Sequence, residues 1–205
     1  MRIFNFFVKI TGFLVQKLCF RTKVFYEDKS VQSRRIKSKA IIVSNHTSVY
    51  DYAVMIFVFF GRVLRYQMAE VLFKKKLLGV FLRAMGGIKL DRYSHDAAAL
   101  SRSADILRKG GVVGVFPEGR LPKENEEAPL PFQSGAVYLS LLENAPILPV
   151  YTNGSYFNKK RAKVVIGKPI YASELYDDTL SEKENLISIS AKLREKVIEL
   201  KDKAV

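Results

Sequence analysis

The sequence has 205 residues, 48% of them apolar, which suits one domain with a buried core and excludes a disordered chain. A single cysteine, Cys19, excludes a disulfide framework and a multi-cysteine metal site, and favours a reducing, cytoplasmic compartment. Lys and Arg number 34 against 20 Asp and Glu, so the formal charge is +14. Such an excess is typical of chains that bind nucleic acid, an anionic membrane or phosphorylated substrates.

Residues 1–20 have the pattern of an amphipathic helix. Polar residues recur at steps of three and four and form one stripe: Arg2, Asn5, Lys9, Gly12 and Gln16. Lys9 and Lys17 interrupt the apolar run, which disfavours a bilayer-spanning helix, and the missing A-x-A-like cleavage site disfavours a signal peptide. We predict a helix lying in the headgroup region with basic residues towards anionic lipid. A helix that packs on an ordinary core is the alternative.

Apolar runs alternate with helical periodicity along the rest of the chain. Strands are predicted at 39–44, 85–91, 112–116, 145–151 and 163–166. Helices are predicted at 52–60, 96–108 and 133–144, and in the C-terminal stretch around 186–200. This alternation predicts an α/β fold, a single domain with a mixed, largely parallel sheet flanked by helices.

A histidine and an aspartate follow the first of these strands, in Asn45-His46-Thr47-Ser48-Val49-Tyr50-Asp51. A catalytic imidazole needs a carboxylate that holds its tautomer and stabilises the imidazolium. On one regular helix the side chains of His46 and Asp51 would point about 140° apart. The pairing therefore requires His46 in the turn after the strand and Asp51 in the first helical turn. A capping residue beside a satisfied histidine is the alternative.

Charged residues follow two further strands. Phe116-Pro117-Glu118-Gly119-Arg120 comes after one of them, at the sheet edge where ligands bind in open α/β folds. Glu118 can accept from hydroxyls, and Arg120 can hold a phosphate with two parallel hydrogen bonds. Gly87 to Arg92 supplies a second arginine, although each arginine alone is more typical of a solvated surface. Residues 145–150 offer an apolar wall or plain core.

Together these segments resemble the glycerolipid acyltransferase family. Asn45-His46 through Asp51 matches its first block, and 87–92, 116–120 and 146–150 resemble the next three in family order. The resemblance implies that His46 is the general base and Asp51 its orienting partner. It assigns the phosphate-bearing acceptor to Arg92, Glu118, Gly119 and Arg120, and Asn45 is a further substrate-binding candidate. Two departures concern this acceptor: no threonine separates Gly119 from Arg120, and Gln133 stands where the family usually has lysine.

The resemblance implies transfer of a fatty acyl group to the free hydroxyl of 1-acylglycerol 3-phosphate, giving phosphatidic acid in phospholipid biosynthesis. The donor is an acyl-CoA or acyl-carrier-protein thioester, and no cofactor is expected. No metal is expected either, because His46 and His95 are the only histidines and lack zinc-type spacing. Residues 1–38 are predicted to form a basic membrane-associating segment, and 39–205 the acyltransferase domain. We expect peripheral or monotopic attachment to an anionic membrane surface on the cytoplasmic face.

Three alternatives are open. The same chemistry on glycerol 3-phosphate or another lysolipid changes only the acceptor, whereas a non-catalytic membrane-surface binding protein would keep the fold without the reaction. A nucleic-acid binder is disfavoured, because the basic residues lack interleaved exposed aromatics or a known module. The pattern makes no prediction of acyl-chain length or oligomeric state.

Overall fold

Strand β2 (Ala40–Ser44) lies inside the sheet, and its five residues are all buried, as a parallel strand covered on both faces requires. The computed structural model describes residues 2–91, 96–157 and 161–204, and within them seven strands pair in the order β1-β7-β6-β2-β5-β3-β4. The other strands are β1 (Lys23–Tyr26), β3 (Leu64–Ala69), β4 (Ile88–Leu90), β5 (Val112–Val115), β6 (Ile147–Thr152) and β7 (Lys163–Ile166). Strands β6 and β7 pair antiparallel, and the remaining described pairs are parallel.

Helices cover both faces of the sheet. They are α1 (Arg2–Thr11), α2 (Phe13–Cys19), α3 (Asp51–Val58), α4 (Glu70–Lys74), α5 (Lys76–Met85), α6 (Ala97–Arg108), α7 (Gly135–Glu143) and α8 (Glu182–Glu199). Because side chains alternate along a strand, Ile42 of β2 joins the core with Val54 of α3, while Ile41 joins the core with Leu139 of α7. The predicted α/β class, with a mixed and largely parallel sheet flanked by helices, is confirmed.

Each strand and helix named from the sequence is present, with ends shifted by a few residues. Strands β1 and β3 and the helices α4 and α5 were not predicted. Strand β3 alternates buried Leu64 and Tyr66 with half-buried Arg65 and Gln67. Its sequence is therefore less uniformly apolar than that of β2. Strand β1 lies within residues 1–38 and pairs with β7, so this segment contributes an edge strand to the sheet. The division at residue 38 stays a prediction.

The polar stripe of the N-terminal segment faces the protein. The segment forms two consecutive helices that meet at Gly12, where an added Cβ would come within 2.8 Å of the Phe57 ring. Asn5 Nδ2 donates to the Met85 carbonyl at 2.9 Å, and Lys9 Nζ donates to the carbonyls of Phe60 and Arg62. The prediction that the basic residues of the stripe face lipid is therefore wrong for Lys9, because its ammonium satisfies carbonyls that follow α3.

The apolar side chains of these two helices consequently point outward. The exposed set comprises Ile3, Phe4, Phe6, Phe7, Ile10, Phe13, Leu14, Val15 and Leu18. In the described part of the chain, no helix combines the length and apolar character needed to cross a bilayer.

Candidate active site

His46 and Asp51 meet through a turn at the carboxyl edge of the sheet. Strand β2 ends at Ser44 and α3 begins at Asp51, so the histidine lies in the connecting turn and the aspartate in the first helical turn. The His46 Nδ1 and Asp51 Oδ2 atoms are 2.9 Å apart. The geometry required by the sequence pattern is therefore present, and the catalytic role of the pair stays a prediction.

The Asp51 carboxylate is fully buried and surrounded by donors. Oδ2 accepts from the backbone amides of Thr47 at 2.7 Å and Ser48 at 2.9 Å, and Oδ1 accepts from the Thr47 hydroxyl at 3.0 Å. A buried carboxylate is tolerated only when such bonds replace its hydration. They also fix the carboxylate against His46. No side chain caps α3, whose N-cap residue is Tyr50.

A long-range contact completes the surroundings of Asp51. The Tyr156 hydroxyl donates to Asp51 Oδ1 at 2.6 Å and lies 2.8 Å from the Thr152 hydroxyl. Burial, with the nearby Asp51 carboxylate, raises the pKa of Tyr156 above its ordinary value, so its hydroxyl keeps the proton that it donates. Tyr156 was missed from the sequence, because it lies 105 positions beyond Asp51 and outside the four motif blocks.

Asn45 connects the end of β2 to β6. Its side-chain amide donates to the Thr152 carbonyl and its carbonyl accepts from the Thr152 amide, both at 2.8 Å. Asn45 is buried, and both ends of its amide are occupied by this pair of bonds. The structure therefore places this predicted binding residue under the His46 turn, where it holds the loop that carries the histidine.

The His46 ring stacks on Phe116, with ring centroids 4.2 Å apart and planes 11° apart. The Phe116 ring is in turn 4.9 Å from the ring of Tyr66 in β3. With Nδ1 directed at Asp51, Nε2 is the nitrogen left for a substrate. His46 lines a cavity of about 120 Å³ together with Gln67, Gly119 and Gln133.

Glu118 is bound on both oxygens by the backbone. Its Oε1 accepts from the His46 amide and its Oε2 from the Leu130 amide, each at 2.6 Å. Burial raises the pKa of Glu118 above its ordinary value, against the opposing effect of these two amides. The predicted contact of Glu118 with acceptor hydroxyls stays untested, while the observed contacts hold the His46 backbone in place.

Arg120 is engaged by a carboxylate on its own loop. Its two terminal nitrogens each lie 2.6 Å from one oxygen of Glu126, in a bidentate pair. The Arg120 guanidinium lowers the pKa of Glu126 to about 2, so the pair is charged on both sides at neutral pH. Gly119 has φ +72°, and a Cβ there would come within 2.7 Å of Gln133 Nε2, so a side chain would be strained and crowded.

The structure thus brings Gly119 and Gln133 to the cavity of His46 but pairs Arg120 elsewhere. Among the described residues that line this cavity there is no lysine or arginine. Arg92, the second predicted phosphate ligand, and His95, considered as a metal ligand, lie outside the described residues. Within the described ranges no cluster of His, Cys, Asp and Glu is arranged to hold a metal ion.

Residues 23–153, more than half of the chain, match the family model described as acyltransferase. The chain therefore belongs to the acyltransferase family and is an O-acyltransferase, as its motif blocks predicted.

Curated relatives carry one enzyme name. The chain is 27% identical to the 1-acyl-sn-glycerol-3-phosphate acyltransferase of Bacillus subtilis, over 68% of this chain and 70% of that protein. It is 26% identical to the chloroplastic BAT2 enzyme of that name from Brassica napus, over 72% of this chain and 47% of that protein. The human beta enzyme of that name is also 26% identical, over 75% of this chain and 56% of that protein. The chain thus spans about half the length of the plant and human relatives, and the predicted glycerolipid type of acyltransferase is confirmed.

A solved structure agrees in fold. The 1-acyl-sn-glycerophosphate acyltransferase of Thermotoga maritima superposes with a TM-score of 0.65 at 21% identity. The match covers 96% of this chain and 78% of that chain. At this identity the match establishes the shared architecture.

Proposed function

We propose that the chain transfers a fatty acyl group from an acyl-CoA or acyl-carrier-protein thioester to the free hydroxyl of 1-acylglycerol 3-phosphate, giving phosphatidic acid. The observation that carries the proposal is the 2.9 Å contact between His46 Nδ1 and Asp51 Oδ2 beside the cavity. The names of the bacterial and human relatives support the acceptor. The proposed reaction uses no metal and no other cofactor.

His46 acts as the general base in this reaction. Asp51 accepts the Nδ1 hydrogen, so Nε2 carries the lone pair and takes the proton of the acceptor hydroxyl. The hydroxyl oxygen attacks the thioester carbonyl carbon, a C–O bond forms and the C–S bond breaks. His46 then returns the proton to the leaving thiolate, which regenerates the enzyme. Proton transfer by a positioned base contributes roughly 10²–10⁴-fold to the rate.

The proposed ligands of the acceptor phosphate are Arg120 and Arg92. A phosphate monoester carries up to two negative charges and matches the planar guanidinium as well as a carboxylate does. It can therefore take the place of Glu126 on Arg120, whose side chain is 46% exposed. Gln133 supplies a neutral amide beside Gly119. Exchange of one anion for another at Arg120 would accompany substrate binding.

Membrane attachment through α1 and α2 is part of the proposal. Their exposed apolar side chains would leave water in the headgroup region of the bilayer, and burying one large apolar side chain contributes about 1.5–3 kcal/mol. The helix pair also reaches the active site, because the Phe20 ring that follows α2 is 5.4 Å from the Tyr156 ring. A lipid held beside α2 therefore lies close to the Asp51 network. Attachment is peripheral or monotopic, on the cytoplasmic face.

The test of the reaction is an acceptor panel. Purified chain is given acyl-CoA or acyl carrier protein with 1-acylglycerol 3-phosphate, glycerol 3-phosphate or lysophosphatidylcholine, and the products are identified by mass spectrometry. We expect phosphatidic acid as the main product, and only a small amount of it with His46→Ala. Faster acylation of glycerol 3-phosphate would replace the proposed acceptor. Lipid binding without acyl transfer to any of the three would make the chain a non-catalytic membrane-surface protein.

A further inference from the structure

A cationic groove lies at the amino edge of the sheet, on the side opposite to His46. Its larger part is a cavity of about 780 Å³ between α1, the turn before β3 and the turn before β5. The basic residues of this part are Arg2, Lys9, Arg62, Arg65 and Lys109. A second cavity of about 590 Å³ shares Phe60, Gly61 and Arg62 with the first, and adds Arg34, Arg35 and Lys37. We call the two cavities together the basic groove.

The protein does not neutralise the charge of the basic groove. Asp105 is the one acidic residue among its described lining residues, and its carboxylate is already paired with Arg108 at 2.7 Å. Among the described residues, the Arg62 guanidinium donates to the uncharged backbone carbonyls of Ile36, Lys37 and Gly110. Uncompensated like charges lining one cavity create a positive potential that attracts an anion.

Cations of the basic groove lie close enough to repel one another. Burial and the neighbouring charges of Arg2 and Arg62 lower the pKa of Arg65, so the three guanidiniums repel one another across the cavity. Lys9, 2% exposed, is held against the carbonyls of Phe60 and Arg62 and cannot swing away. An anion with several oxygen acceptors, such as a phosphate, relieves this repulsion because one group can accept from two or more of the cations.

An apolar surface adjoins the basic groove. Phe6 lines the groove and is 58% exposed, and it belongs to the same face of α1 as Ile3 and Ile10. A ligand that carries a phosphate and an acyl chain can therefore place its charge on the arginines and its chain along α1. Free inorganic phosphate would contact the arginines but not the apolar side chains of α1.

The basic groove is distinct from the site of the proposed reaction. Arg65, near the start of β3, lines the groove, and Ala69, at the end of the same strand, lines the cavity of His46. At roughly 3.3 Å per residue, β3 separates the two by about 13 Å. One phosphate cannot occupy both places.

We propose that the basic groove binds the phosphate of an anionic phospholipid of the surrounding bilayer, while the acceptor phosphate binds near His46. The proposal rests on the membrane attachment through α1 and α2, and it is independent of the acyl transfer. Binding to neutral vesicles reports the attachment, and the added preference for anionic vesicles reports the groove. The membrane attachment and the anion binding by the basic groove can therefore fail separately in the test.

The test compares two variants of equal charge. Arg65→Gln with Lys109→Gln removes two cations of the groove, and Lys183→Gln with Lys192→Gln removes two exposed cations of α8. Flotation is measured with phosphatidylcholine vesicles and with phosphatidylcholine–phosphatidylglycerol vesicles, at low and at high salt. We expect the groove variant to lose roughly 30-fold in its partition onto anionic vesicles, about fivefold for each basic residue removed, and to keep its partition onto neutral vesicles. The α8 variant should keep both.

A charge-conserving variant separates binding from folding. Arg65→Lys with Lys109→Arg should retain the preference for anionic vesicles, with circular dichroism confirming the fold of each variant. Equal losses in the groove and α8 variants would show that total charge alone governs binding, and would overturn the proposal. Inorganic phosphate that displaces the protein from anionic vesicles better than sulfate at equal ionic strength would reassign the groove to free phosphate, which also overturns it.

Discussion

Tyr156 donates a 2.6 Å hydrogen bond to Asp51 Oδ1, while Asp51 Oδ2 contacts His46 Nδ1 at 2.9 Å. The aspartate is therefore held from both sides, by a residue of its own turn and by one that follows β6. Because Phe20, which follows α2, packs against Tyr156, this contact also joins α2 to the proposed catalytic pair.

Replacing Tyr156 by Phe should lower kcat about tenfold and leave both KM values unchanged. The hydroxyl bonds a charged carboxylate, and such a bond contributes about 1.5–3 kcal/mol. Tyr52→Phe is the matched control, because the buried Tyr52 hydroxyl has no hydrogen-bond partner among the described residues. Steady-state kinetics of both variants is the measurement. Equal effects of the two substitutions would mean that Tyr156 acts only through packing.

His46→Ala should reduce acyl transfer by roughly 10²–10⁴-fold, because the proton of the acceptor hydroxyl loses its base. Asp51→Asn should be similarly severe, because an amide cannot fix the imidazole tautomer as the carboxylate does. Rates are compared at equal concentrations of folded protein, checked by circular dichroism. Rates near those of the unchanged protein for His46→Ala would refute general-base catalysis by this residue.

Arg120→Ala and Glu126→Gln should shift the acceptor KM in opposite directions. Arg120→Ala removes a charge-assisted contact of about 1.5–3 kcal/mol and should raise this KM about ten- to hundredfold. Glu126→Gln removes the anion that now occupies Arg120 and should lower the acceptor KM. The donor KM should change little in either variant. If both substitutions raise the acceptor KM, Arg120 serves to hold its loop.

Glu118→Gln should weaken the fold and remove a dependence of stability on pH. An amide can accept only one of the two backbone amides that Glu118 binds, which costs about 1–3 kcal/mol. Burial raises the pKa of Glu118, so the folded chain holds this proton more tightly than the unfolded chain. The resulting stabilisation is present below the unfolded pKa and is lost as pH rises through the folded pKa. Urea unfolding from about pH 4 to about pH 8 should show this fall in the unchanged protein and not in Glu118→Gln.

Phe7→Ser with Leu14→Ser should weaken partition onto phosphatidylcholine vesicles by about 100-fold, because two exposed apolar side chains no longer enter the lipid. Leu142→Ser with Ile187→Ser is the control, since these residues are similarly exposed but lie on α7 and α8. Flotation measures both. The membrane proposal fails if the two double variants float equally well.

The features predicted correctly are those that depend on residues close to one another in the sequence. The pairing of His46 with Asp51 is decided within one turn, so a stretch of six residues contains it. The partner of Asp51 at Tyr156 depends on how β6 lies beside β2, and no local pattern encodes that pairing. The bond between Arg120 and Glu126 was missed because Arg120 was assigned to the acceptor phosphate and Glu126 was not considered as its partner.

Helical periodicity shows which residues share one face of a helix, but it does not show which face packs against the protein. The stripe through Asn5 and Lys9 was correctly located on one side of a helix, but either side of that helix could have faced the protein. The backbone carbonyls of Phe60, Arg62 and Met85 determine that the polar stripe faces inward, because they need hydrogen-bond donors and the stripe supplies them.

The inward orientation of Asn5 and Lys9 has a consequence for how the chain meets a bilayer. Many interfacial peptides are coils in water and become helical only on lipid, so part of their binding free energy is spent on ordering the backbone. Here α1 and α2 are already fastened to the folded body, which removes that entropic cost from adsorption. Far-ultraviolet circular dichroism should therefore stay constant as vesicles are added. The same rigidity leaves an apolar face exposed to water, so in the absence of lipid the protein should be prone to self-association.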